Sequence, residues 1–266
     1  IPLILYGLVT ETSIVDLFRA GVGPGLLLVS LFAIYSVVVN RNMKTERFSF
    51  SALMHALRDG IWALMMPVIL LGGIYSGFFS PTEAAAVALV YAVIVELAVH
   101  REIGFSDLRA VVLEAAKLGG ALFPLIAVAL SLNLILIENR VPDQMVDLVD
   151  DWITSPVTFI IMVNLLLLAV GAFMTTAEAI LILGPILAPI AVFYGFDKVV
   201  FGIIMIVNLE IGLLTPPVGL NLIVAMSAFK QKFGLLVRAA IPFILLMVFA
   251  LALISWLPQI SLFMVR

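Results

Sequence analysis

The sequence predicts an all-α polytopic membrane protein built on an inverted repeat, with a re-entrant helical hairpin and an unwound transmembrane helix. Three observations carry that prediction. Hydrophobic residues make up 64% of the 266 residues and charged residues 12%, against roughly 45–50% and 25% in soluble domains. Apolar runs close to the length that crosses a bilayer recur along the whole chain. Two of these runs are interrupted in their middle by polar, glycine-rich or proline-rich steps.

The elements follow in order. A first span covers 25–40 and ends in a basic stretch with Arg41, Lys44 and Arg47. Residues 48–59 form a short amphipathic piece with Phe48, Phe50, Leu53, Met54 and Leu57 on one helical face. A second span, 61–79, stops at Ser80-Pro81-Thr82-Glu83, where Pro81 disfavours helix at Ser80. Glu83 falls in the first turn of the third span, 84–99, and reads either as its cap or as a buried functional carboxylate. Glu96 is expected at the interface near His100. A polar segment leads to the fourth span, 118–137, and the acidic stretch 138–151 follows. The apolar stretch 156–191 is interrupted at Gly171-Ala172-Phe173-Met174-Thr175-Thr176-Ala177-Glu178, and 199–229 at Gly212-Leu213-Leu214-Thr215-Pro216-Pro217-Val218-Gly219. A basic amphipathic piece with Lys230, Lys232 and Arg238 precedes the last span, 241–257.

Loop charge sets the orientation, because short cytoplasmic loops are rich in Lys and Arg. Arg41, Lys44, Arg47 and Arg58 mark one cytoplasmic loop, Arg101, Arg109 and Lys117 the next, and Lys230, Lys232 and Arg238 a third. The acidic stretch with Asp143, Asp147, Asp150 and Asp151 belongs outside. One crossing through 156–191 would put Lys230 outside. A re-entrant hairpin entering from the outer face puts it inside. Two complete crossings also fit the charges, but each half has only roughly 16–19 residues, short for a span.

Composition also excludes classes. Cysteine is absent, which removes disulfides, thiolate catalysis and Cys-ligated metals. His55 and His100 lie in separate polar segments and read as interfacial residues. A net charge of −3 argues against nucleic acid as a partner and leaves membrane lipid as the surroundings. No catalytic constellation of an intramembrane enzyme is present, and an ion channel would show a continuous polar pore stripe.

An internal repeat relates 3–36 to 222–255. Ten positions match without a gap, among them Arg19-Ala20 with Arg238-Ala239 and Leu26-Leu27 with Leu245-Leu246. The loop charges place Arg238 inside and Arg19 outside, so the copies are inverted, a recurring plan of secondary transporters. Non-helical backbone is tolerated at membrane depth only where it is buried or lines a cavity. The tip at Thr175 and Thr176 and the break at 212–219 are therefore the expected site. Adjacent prolines remove two amide donors, and freed carbonyls with threonine hydroxyls suit a small hard cation. Amides of the helix after the break, with Asn221, suit an anionic substrate group. Glu178 either caps the second hairpin arm or touches substrate. Glu210, one turn before the break, either shapes it or senses the ion.

Three stretches resemble signatures of the large membrane subunit of TRAP (tripartite ATP-independent periplasmic) transporters. They are Gly72-Gly73-Ile74-Tyr75-Ser76-Gly77-Phe78-Phe79-Ser80-Pro81-Thr82-Glu83-Ala84-Ala85-Ala86, Asn208-Leu209-Glu210-Ile211-Gly212-Leu213-Leu214-Thr215-Pro216-Pro217-Val218-Gly219-Leu220-Asn221, and Gly171-Ala172-Phe173-Met174 with the run from Ala179 to Pro189. The resemblance covers essentially the whole chain as the C-terminal part of that subunit. It implies a sodium-driven, elevator-type importer of organic acids, of sialic acid or C4-dicarboxylate type, in the bacterial inner membrane. It implies two partners, a small four-helix membrane subunit and a periplasmic substrate-binding protein, and Na+ as coupling ion with no organic cofactor. The family's second sodium site maps onto Gly171, Thr175, Thr176, Gly212, Thr215 and Val218. Substrate contacts are expected from Thr175, Glu178, Pro216 and Asn221. Many members carry an acidic residue where this chain has Thr175, so any role of that carboxylate falls away here or passes to Glu178. The other reading is a sodium- or proton-coupled elevator carrier of another family that works without a binding protein.

The expected organisation is 1–20 as the end of the first repeat's broken helix and an amphipathic arm, 21–155 as scaffold and connecting helices, 156–229 as the hairpin and broken helix of a transport domain, and 230–266 as arm and final helix. Ile1-Pro2-Leu3-Ile4-Leu5 starts inside an apolar segment, so the chain reads as one piece of a longer protein whose preceding residues hold the first hairpin and break.

Overall fold

Helices α1 (Pro2–Val9) and α2 (Ile14–Val39) open the chain. The computed structural model describes every residue except 44–47, 142–143, 145–152, 154 and 266. The basic residues Lys44 and Arg47 and the acidic residues Asp143, Asp147, Asp150 and Asp151, used above for orientation, lie outside the described residues. The chain divides into one unit of Ile1–Val39 with Leu125–Arg266 and a second of Asn40–Pro124. Among the described residues, six helices are long and apolar enough to cross a membrane. The protein is a multi-pass membrane protein.

The second unit contains α3 (Phe50–Tyr75), α4 (Pro81–Ile94, extended by a π-helical turn Val95–His100) and the start of α5 (Phe105–Glu138). Here the structure differs from the sequence reading. The amphipathic piece and the second span are one continuous helix α3, and the polar segment before the fourth span is the opening of α5. Both join because neither Gly60 nor the Gly119-Gly120 pair interrupts the backbone ladder, and a helix continues across a polarity change when its backbone bonds are intact. α3 and α4 pair as a hairpin, with the Tyr91 hydroxyl donating to the Trp62 carbonyl at 2.8 Å. Ser80 caps α4 and Glu83 returns the bond to the Ser80 amide at 2.8 Å, so Glu83 closes a capping box. The π-turn sets Glu96 and His100 3.5 Å apart on one face.

The first unit is organised around α8 (Lys198–Leu213), which packs against α1, α2, α6 (Pro156–Gly171), α7 (Thr176–Phe193) and α10 (Phe233–Trp256). α9 is Leu220–Phe229 and α11 is Gln259–Leu262. Phe201, Ile204, Met205, Leu209 and Ile211 of α8 are fully buried, together with Tyr6, Leu17, Phe159, Leu167, Ile180 and Ile254 around it. A helix apolar on all sides suits either lipid or a surround of other helices, and here other helices surround it. Tyr6 uses its hydroxyl to reach the Lys198 carbonyl at 2.9 Å, while the Lys198 ammonium donates to the Thr10 carbonyl at 3.5 Å. The start of α8 and the end of α1 are thereby tied to each other.

α6, α7 and α8 share their ends. At one end Phe159 stacks on Tyr194 at 4.8 Å and also meets Phe196 and Phe201, and the Tyr194 hydroxyl donates to the Ile153 carbonyl. At the other end Gly171, Thr176 and Glu210 come together, as described below. α6 and α7 therefore run antiparallel as a hairpin, and α8 runs parallel to α6. With 16 residues, α6 is about 24 Å long at 1.5 Å per residue, short of the roughly 30 Å hydrocarbon core. α7, at 18 residues, reaches the length of a span by composition and length alone.

The repeat has matching helix ends. Glu11 and Lys230 both take positive φ, 54° and 51°, and α2 and α10 begin at Ile14 and Phe233, the same offset of 219 residues (11 to 230, 14 to 233). α2 is unbroken from Ile14 to Val39, so the arm ending near residue 20 and the span after it form one helix.

Candidate functional site

The hairpin tip is built by a cap. Ala172 ends α6, and Thr175 adopts extended backbone, from which its hydroxyl accepts the Glu178 N–H at 3.4 Å. Glu178 returns the bond by accepting the Thr175 N–H at 3.1 Å. This Thr-x-x-Glu arrangement satisfies two of the amides that a helix start leaves unpaired. Glu178 is thus committed to capping α7. Thr175 is exposed and Thr176, the next residue, is buried.

The break is set by the two prolines. α8 ends at Leu213, and Thr215 donates its N–H to the Gly212 carbonyl and its hydroxyl to the Ile211 carbonyl, each at 2.8 Å. Pro216 and Pro217 have no N–H, so the ladder stops there. Gly219 takes φ 55°, a conformation costly for any other residue, and starts α9.

Tip and break touch directly. A Cβ on Gly212 would lie 2.5 Å from the Gly171 Cα, and one on Gly171 would lie 2.9 Å from the Leu209 carbonyl oxygen. Only two glycines allow backbones this close. Beside that contact the Thr176 hydroxyl donates to Glu210 Oε1 at 3.1 Å. One turn before Gly212 on α8, Asn208 is fully buried and donates to Asn164 Oδ1 on α6 at 2.6 Å. Asn164 donates in turn to the Ser255 hydroxyl of α10 at 3.4 Å. Asn208 Oδ1 is buried without a hydrogen-bond partner.

Of the residues expected in the site, the structure brings Gly171 to Gly212 and places Thr176 against α8. Thr215 stands one turn beyond Gly212 with its hydroxyl proton committed. Among the described residues, no hydrogen bond joins Val218, Pro216 or Asn221 to the tip, and Pro216 and Asn221 are exposed. Sequence reasoning missed Asn164, Asn208 and Ser255. The signal was present, since Asn208, Gly212 and Thr215 stand at i, i+4 and i+7 and so share one helix face. Asn164, in an otherwise apolar arm, showed no periodic partner.

The oxygen set fits a small hard cation in kind. A hydroxyl has one proton and two lone pairs, and both Thr176 and Thr215 have given their protons to protein acceptors. Their lone pairs remain for a cation.

The family model described as "Tripartite ATP-independent periplasmic transporter, DctM component" matches residues 1–260. The chain is 42% identical over 265 residues to the C4-dicarboxylate TRAP transporter large permease protein DctM of Pseudomonas aeruginosa, covering 98% of this chain and 62% of that protein. It is 36% identical over 267 residues to the ectoine TRAP transporter large permease protein TeaC of Halomonas elongata, with 99% and 62% covered. It is 34% identical over 263 residues to the 2,3-diketo-L-gulonate TRAP transporter large permease protein YiaN of Escherichia coli, with 98% and 62% covered. The chain spans about three-fifths of the length of these relatives, 62% of each.

Proposed function

The chain belongs to the DctM component family of tripartite ATP-independent periplasmic transporters, and from that premise we propose that it forms part of the permease subunit of a sodium-coupled carrier importing an organic acid. It is not an enzyme, and its place is the bacterial inner membrane. The observation that carries the ion coupling is the glycine-to-glycine contact between tip and break, flanked by two threonine hydroxyls whose protons are already used. A cation bound there by Thr176, Thr215 and nearby backbone carbonyls, with Gly171, Thr175, Gly212 and Val218 in the surrounding shell, holds the hairpin closed on the broken helix. Sodium supplies the positive charge that an acid substrate lacks.

The substrate carboxylate is received on the exposed side of the tip, by the Thr175 hydroxyl and by the first amides of α9 at Asn221, next to Pro216. Glu178 does not take part, because its carboxylate is engaged with Thr175 and would repel an acid. A C4-dicarboxylate is the substrate class taken here, one that two of the similar permeases are named for. Two partners complete the system: a periplasmic binding protein that delivers the acid, and a small membrane subunit that covers the apolar faces left exposed on α3, α4 and α5. The hairpin and α8 are the parts that move in an elevator motion, with the hairpin entering and leaving on the outer face.

The test is uptake by proteoliposomes holding the full-length permease, its small subunit and the binding protein. Succinate uptake driven by an inward sodium gradient, and absent with potassium or without the binding protein, is the expected result. Uptake that ignores sodium, or that proceeds without the binding protein, would favour a carrier of another mechanism.

A further inference from the structure

We propose that Asn164 and Asn208 are positioning residues of the cation site: a buried amide pair that fixes the register of hairpin arm α6 on α8, and so decides that Gly171 meets Gly212. This rests on the sodium-coupled reading above. The apolar part of the sequence leaves the register open. The buried side chains of α6 include Phe159, Ile160, Val163 and Leu167, and those of α8 include Phe201, Ile204, Met205 and Leu209. Burial of such groups is non-directional. α6 carries Leu165-Leu166-Leu167-Leu168 and α8 carries Ile203-Ile204-Met205-Ile206-Val207. A slip by one helical turn, about 5.4 Å, would set similar side chains against each other again. The glycines at the contact have no side chain to oppose it.

The amides resist the slip. Asn208 is fully buried and its Nδ2 donates to Asn164 Oδ1 at 2.6 Å, and Asn164 donates to the Ser255 hydroxyl of α10 at 3.4 Å. A displaced register would leave amide groups in the apolar interior without partners, which is costly. A buried asparagine between helices is a device that specifies register. Stability alone does not call for the pair. Replacing both members of a buried polar pair by apolar groups of like shape is close to neutral, and would also remove Asn208 Oδ1, which has no hydrogen-bond partner among the described residues. What two leucines could not do is choose between registers. The site needs that choice. Asn208 stands one turn before Gly212 and Asn164 two turns before Gly171. A Cβ on Gly212 would lie 2.5 Å from the Gly171 Cα, so the two backbones touch there. Thr176 opens α7 and Thr215 follows the end of α8, so their positions depend on that contact. A binding constellation has to be held within about 0.5 Å. A one-turn slip would separate the threonines while the apolar side chains stayed buried.

Sodium-induced thermal stabilisation of the purified full-length permease, with its small subunit, separates register from stability without transport. Sodium should raise the apparent Tm of the native protein, and choline should not. Asn208→Leu should lower the sodium-free Tm and raise the half-saturating sodium concentration about tenfold or more. When Asn164→Leu is added, the sodium-free Tm should return most of the way while the half-saturating concentration stays high. A pair that served stability alone would recover both together. A native protein that ignores sodium overturns the sodium-coupled reading and this inference with it. A native protein that responds, with native half-saturation in either variant, leaves the reading standing and overturns the register role. A double variant that does not fold, or stays as unstable as Asn208→Leu, overturns it as well, because the pair would then hold the helices together rather than choose between their registers.

Discussion

Gly212 and Gly171 are the residues at which the least change should do the most. A methyl group on Gly212 would lie 2.5 Å from the Gly171 Cα and 2.6 Å from its carbonyl carbon, and backbone atoms cannot rotate away as a side chain does. Overpacking of a tight interior costs about 1–3 kcal/mol. Gly212→Ala is expected to lower the apparent Tm of the full-length protein and to abolish sodium-dependent uptake. Gly25→Ala, where a Cβ meets nothing within 4 Å, should change neither. An equal response of the two variants would show that the contact does not matter. Thr215→Val keeps the shape and loses the hydroxyl. Removing one ligand oxygen costs on the order of 1–3 kcal/mol, so its apparent sodium affinity should fall about tenfold at unchanged abundance. Unaltered sodium dependence of uptake would remove Thr215 from the site. The Asn164–Asn208 pair behaves differently. Asn208→Leu leaves Asn164 Oδ1 buried without its donor and should cost about 1–2 kcal/mol. Adding Asn164→Leu should recover most of that loss of Tm, because it removes the unpaired amide and gives up only the long 3.4 Å bond to Ser255.

At the scale of elements, the inverted repeat makes a prediction that pairs residues 219 positions apart. Ser13 and Lys232 are both exposed and precede α2 and α10 by one residue. Single cysteines at these equivalent places should lie on opposite sides of the membrane. In whole cells, an impermeant thiol reagent should label Ser13→Cys and spare Lys232→Cys. Labelling of both from outside would sink the inversion. Much of this level was readable beforehand. The hairpin was visible from the polar step at Gly171–Glu178 and the break from Pro216 and Pro217, while capping stood as one of two readings for Glu83 and for Glu178. These signals are local: a cap or a proline acts on residues within one turn. Continuity was read less well. The amphipathic pieces before the second, fourth and last spans run unbroken into them, because polarity patterns report which face meets water or lipid and not whether the backbone bonds continue.

For the whole molecule, the question is what completes it. The second unit, Asn40–Pro124, buries few of its apolar residues, Ile74, Ala84, Ala88 and Val95 among them, and α3 and α5 expose long apolar faces. Such faces meet lipid, other parts of a longer permease, or a partner. Residues 1–266 reconstituted alone with a sodium gradient and the binding protein are expected to give no uptake, and the full-length permease with its small subunit is expected to restore it. Robust uptake by residues 1–266 alone would show that the repeat carries less of the function than its symmetry implies.

The sequence by itself determined that this protein lives in a membrane, because 64% hydrophobic and 12% charged residues leave no other surface to present. It determined also where α4 and α7 start and where α8 breaks, because caps, prolines and glycines act through neighbouring backbone. Only the tertiary structure decided which of those breaks meet. The contact of Gly171 with Gly212, the bond from Thr176 to Glu210, and the buried chain through Asn208, Asn164 and Ser255 join residues 34–91 positions apart. No periodicity along the chain encodes such pairings, which follow from how α6, α8 and α10 pack. The same packing separates two adjacent threonines into a donor and an acceptor, a difference of hydrogen-bond partner that identical side chains cannot carry in sequence.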